Sequence, residues 1–81
     1  MNTFDIEEGD DIVLKFLKDT VLEIYEYEDE DMFDPEQEFF KQGEEIDVTA
    51  FEIDGPNMGV QFEDGSVTFI NRSFVELVRF S

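Results

Sequence analysis

Tyr25 and Tyr27 stand one residue apart at the head of an acidic run that holds Asp29, Glu30, Asp31 and Asp34. Side chains two apart on an extended strand share a face, so these rings can present flat apolar surface beside a bank of negative charge. That pairing suits capture of a basic peptide or protein surface, with opposite charge steering the encounter. The plainer alternatives are a solvated loop and rings that merely cover a sheet edge. From Glu26 to Glu38 eight of thirteen residues are acidic and none is basic, a density that favours an extended, solvated loop.

Other chemistry finds less support. Asp29, Asp31 and Asp34 lack the alternating ligands and central glycine of a twelve-residue calcium loop, and no cofactor or metal is expected. Cysteine and histidine are absent, which removes disulfides, thiol nucleophiles, the usual zinc sites and imidazole bases. Acidic residues are so common that no pair stands out as acid and base. Gly59 and Gly65 belong to no phosphate-cradling pattern, and Arg72 and Arg79 read as local charge partners. The expectation is a chain that is not an enzyme. A hydrolase would require a concave pocket holding buried carboxyl groups.

A net charge of −18, from 23 acidic and 5 basic side chains, repels phosphate backbones, so nucleic acid is not an expected partner. No apolar run approaches the length of a membrane span, and Met1-Asn2-Thr3-Phe4-Asp5 lacks the basic start of a signal peptide, so a cytoplasmic, membrane-free setting is expected. With 81 residues there is room for one core, which ten phenylalanines must largely fill.

These groups need a scaffold, and the pattern predicts a mainly β domain over 12–81 behind a loosely ordered acidic leader, 1–11. Ile12 to Leu17 and Val21 to Tyr27 read as strands around a turn at Lys18-Asp19-Thr20, with a helix as the competing assignment for the same window. Asp34, Pro35, Gln37 and Gly43 carry start and stop signals for a short helix over about 35–42. Ile46, Val48 and Ala50 alternate with polar residues until Phe51 and Ile53 switch parity, which predicts a bulge near Ala50. Asp64-Gly65 predicts a two-residue hairpin turn, with Phe62 opposite Val67 and Val60 opposite Phe69. Ser73 and Glu76 allow either a last helical turn or a closing strand.

From Tyr25 to Val78 the order of features resembles SH3-like small barrels: Tyr25-Glu26-Tyr27, the acidic loop, Phe40-Lys41-Gln42-Gly43-Glu44, Ile46 and Val48, the Asp-Gly hairpin, then Phe74-Val75-Glu76-Leu77. The resemblance implies a small antiparallel barrel or curved sheet with one or two short helices. It also implies a ligand groove in which tyrosines pair with an acidic loop that captures a basic ligand residue. The chain departs from that family in having no tryptophan, and in Asn71 and Phe74, which stand where the family has proline and tyrosine. The alternative fold is α+β with two strand-strand-helix units.

The expected function is a non-catalytic protein-interaction module for a basic peptide or protein surface, carried by Tyr25, Tyr27, Asp29, Glu30, Asp31 and Asp34. The alternative is an acidic regulator that imitates nucleic acid toward a DNA-binding protein. The oligomeric state is left open.

Overall fold

The computed structural model describes residues 3–26 and 35–81. The fold is mainly β: β1 (Asp11–Phe16), β2 (Thr20–Ile24), β3 (Glu36–Phe40), β4 (Glu45–Asp54), β5 (Asn57–Phe62), β6 (Val67–Asn71) and β7 (Val75–Phe80), with 3-10 turns at Thr3–Asp5 and Arg72–Phe74. Five strands form an antiparallel sheet in the order β6-β5-β4-β1-β7, and β2 pairs with β3 in a second, two-stranded sheet.

Interior β1 is buried over Ile12-Val13-Leu14, which is why its sequence is a continuous β-branched and apolar run rather than an alternating one. β2 does alternate: Thr20, Leu22 and Ile24 point inward while Val21 and Glu23 face out. The core gathers Ile12, Leu14 and Phe16 of β1 with Leu22, Phe40, Val60, Ile70 and Leu77 from the surrounding strands. Both early runs are therefore strands, and the competing helix does not form. The bulge expected near Ala50 lies between Ala50 and Glu52, and it turns Phe51 out of the core.

Three expectations are corrected. The helix over 35–42 is instead β3, paired along its length with β2, with Thr20 opposite Phe40 and Ile24 opposite Glu36. Its capping residues offered only local hydrogen bonds to a helix too short to persist alone, whereas as a strand Phe40 stacks on Phe16 at 4.8 Å. Pro35 simply precedes the strand, and Gly43 takes φ +89° in the turn that follows.

The hairpin register is also corrected. Phe62 N–H donates to Ser66 O at 2.8 Å and Gly65 N–H to Phe62 O at 3.0 Å, so Glu63-Asp64-Gly65 is a three-residue loop with Gly65 at φ +92°. Val60 therefore lies opposite Thr68, and Gly59 opposite Phe69. Every side chain of β6 changes face by that one-residue shift: Thr68 is buried and Phe69 is exposed.

The leader is the third. Thr3 and Ile6 are buried, Gly9 N–H donates to Ala50 O at 2.6 Å, and the Phe4 ring lies 4.9 Å from the buried Arg72 guanidinium. Ile6 supplies apolar area that a core this small needs, so residues 3–10 pack with the domain instead of hanging loosely before it. At the other end the closing strand forms as β7, and Asn71 rather than Ser73 caps the turn before it, its Oδ1 accepting from Ser73 N–H at 2.9 Å.

Asp64 Oδ1 accepts from both the N–H (2.9 Å) and the hydroxyl (2.6 Å) of Ser66, and these bonds hold its carboxyl below the ordinary value. A depressed folded-state pKa contributes stability that is present above the unfolded pKa and lost as pH falls through the folded value. Asp64→Ala is expected to lower the urea midpoint at pH 7, and the gap to the unmodified chain should close at about pH 2.

Candidate functional site

Tyr25 lies just past β2, where it exchanges two backbone hydrogen bonds of 2.9 Å with Val67 and so bridges the small sheet to the large one. A second tie is the Thr68 hydroxyl, which donates to Glu23 O at 2.8 Å. Alternation along β2 then sends Val21, Glu23 and Tyr25 outward on the same face as Phe69 of β6. Together they line a cleft of about 250 Å³.

Within the cleft the Tyr25 hydroxyl donates to Glu23 Oε2 at 3.2 Å, and that hydrogen bond, with the carboxylate's charge behind it, pushes the phenol above its ordinary value. Tyr25 thus stays a neutral donor across the physiological range while Glu23 offers its other oxygen lone pairs to a ligand. Beyond Phe69 stands Phe51 of β4, its ring centroid 5.9 Å away. Phe39, opposite Val21 in the β2–β3 ladder, extends the apolar row to the other side.

The electrostatics of this region are one-sided. Strands β2 to β6 contain no lysine or arginine, yet they carry one acidic residue on β2, two on β3 and four on β4. Four of the five cations are engaged elsewhere: Lys15 with Glu76 at 2.8 Å, Arg79 with Glu45 at 3.9 Å, Lys18 over the Phe74 ring at 3.8 Å, and Arg72 buried beside Phe4; the fifth, Lys41, is exposed immediately after β3. A cleft of mixed polar and apolar lining with a negative rim can hold a ligand that carries positive charge beside apolar groups.

A second cleft, of about 360 Å³, has Asp11, Asp47, Gln61 and Glu63 in its walls, and the Thr49 hydroxyl donates to Asp11 there. No three carboxylates among the described residues come together as a metal would require, and no helix among them is long and apolar enough to cross a membrane. Of the residues singled out from the sequence, Tyr25 is placed in the cleft; Tyr27, Asp29, Glu30, Asp31 and Asp34 lie outside the described residues.

Sequence reasoning missed Val21, Glu23, Phe39, Phe51 and Phe69. Val21 and Glu23 were legible as the outward positions of an alternating strand, but Phe69 could be found only with the three-residue hairpin loop. Comparison with protein-family models, with curated proteins and with solved structures gives no match.

Proposed function

We propose that this chain is a non-catalytic protein-interaction module that binds a basic peptide or protein surface, working in the cytoplasm. The observation that carries the proposal is the cleft at Tyr25 and Phe69, set in five strands that hold carboxylates and no cation. Steering by a net charge of −18 speeds encounter with a cationic partner. The cleft then gives that partner a defined seat.

Two features favour this over the other readings. A phosphate mimic needs carboxylates alone, whereas here a row of aromatic and aliphatic side chains runs between them. A hydrolase needs a carboxyl group in apolar surroundings to act as an acid near neutral pH, and every described Asp and Glu is exposed or partly exposed.

Calorimetric titration with a lysine-rich peptide and with a glutamate-rich peptide of equal length tests the proposal. Binding of the first alone, weakening steeply between about 0.1 M and about 1 M salt, is the expected result. Failure of the lysine-rich peptide to bind at the lower salt would refute it.

A further inference from the structure

The outer face holds more than charge. Phe51 and Phe69 meet edge to face, their planes at 72°, directly above Gly59. A Cβ at Gly59 would fall 2.7 Å from Phe51 Cζ and 3.0 Å from the Phe69 ring, closer than a side chain tolerates, so glycine is what lets both rings lie down on the sheet. Glycine at this strand position gives up side-chain packing, and the two rings take its place.

Although seated, the rings remain 40% and 51% exposed, and Val21 and Phe39 beside them 58% and 53%. Four large apolar side chains in one row across the two sheets, which Tyr25 and Val67 bridge, mark an interaction surface rather than scattered exposure. The β4 bulge places Glu52 opposite Gly59 and next to Phe51, and Glu23 stands across the cleft from Phe69. The row is therefore flanked by carboxylates on both sides.

We infer that this row is the apolar anchor of the basic partner, and that the partner presents a cationic amphipathic segment. Its apolar side chains lie on Phe51, Phe69 and Val21, and its lysines or arginines reach Glu23 and Glu52. This rests on the proposed basic-partner function and specifies the ligand's chemistry. Charge complementarity selects the occupant, because strands without a single cation would meet like charge in a second copy of this chain.

The test compares two peptides of equal length and charge, one alternating Lys with Leu and one alternating Lys with Ser. Each is titrated into the unmodified chain, Phe51→Ser and Phe69→Ser at about 0.1 M and about 1 M salt. At the higher salt the Lys-Leu peptide is expected to bind at least about tenfold tighter than the Lys-Ser peptide, and either substitution should remove most of that margin. Both rings are exposed, so the variants are expected to fold, and the peptide comparison on the unmodified chain does not depend on them. Equal affinities for the two peptides would overturn the anchor while leaving the basic-partner function standing. No binding of either peptide at the lower salt would overturn both. Sedimentation of the free chain at the higher salt should show a monomer; a dimer abolished by Phe69→Ser would assign the row to a second copy and overturn the inference.

Discussion

Phe16→Ala is expected to leave the fold only marginally stable, with a substantial unfolded population at 25 °C. Phe16 is 1% exposed at the end of β1, and its ring stacks on Phe40 of β3 with the planes 14° apart. Its backbone is equally committed, donating to Glu44 O at 3.0 Å and accepting from Gly43 N–H at 2.8 Å. The one residue thus ties the two-stranded sheet, and the turn that follows it, to an interior strand of the large sheet. Truncating a buried phenylalanine costs about 3–5 kcal/mol, and a domain of this length has little more than that in total. Urea unfolding followed by circular dichroism measures it. Phe16→Leu, which keeps most of the volume, should retain a cooperative transition at a lower midpoint.

Salt is expected to stabilise this fold. Eighteen uncompensated negative charges repel one another more strongly in the compact state than in an expanded chain. Between about 0.01 M and about 1 M salt the screening length falls from about 30 Å to about 3 Å, which removes nearly all repulsion between surface charges on different strands. The exposed Lys15–Glu76 and Arg79–Glu45 pairs weaken over the same range, but they are two attractions against many repulsions. A net gain on the order of 1 kcal/mol raises the thermal midpoint by about 4–8 °C. A midpoint that is flat or falls with salt would mean that the surface charges are spaced too widely to matter.

What the sequence made legible follows from the range of the interactions that decide each element. β1 and β2 were readable because β-branched and apolar runs such as Ile12-Val13-Leu14 fit a pleated, buried surface wherever they sit. The parity switch at Phe51 was likewise local, and it located the bulge. The Glu36–Phe40 segment was not readable, because its caps speak for a helix within a few residues while its fate is settled by pairing with Thr20–Ile24 and by the Phe16 ring.

The candidate site was hidden for a related reason. Asp64-Gly65 located the hairpin, but whether its loop holds two residues or three depends on Ser66 closing onto both Phe62 and Asp64. That single residue decides whether Phe69 joins the core or the surface. Phe39 was lost with the misassigned helix. Of the residues lining the cleft, Tyr25 was named in advance, from its type and its place beside the acidic run.

The most direct measurement is an amide chemical-shift map of the ¹⁵N-labelled chain during titration with a lysine-rich peptide. The account predicts the largest shifts at Val21, Glu23, Tyr25, Glu52 and Phe69, which bracket the cleft and its rim. Shifts spread evenly over all acidic surfaces, or gathered instead around Asp47, Gln61 and Glu63, would contradict it.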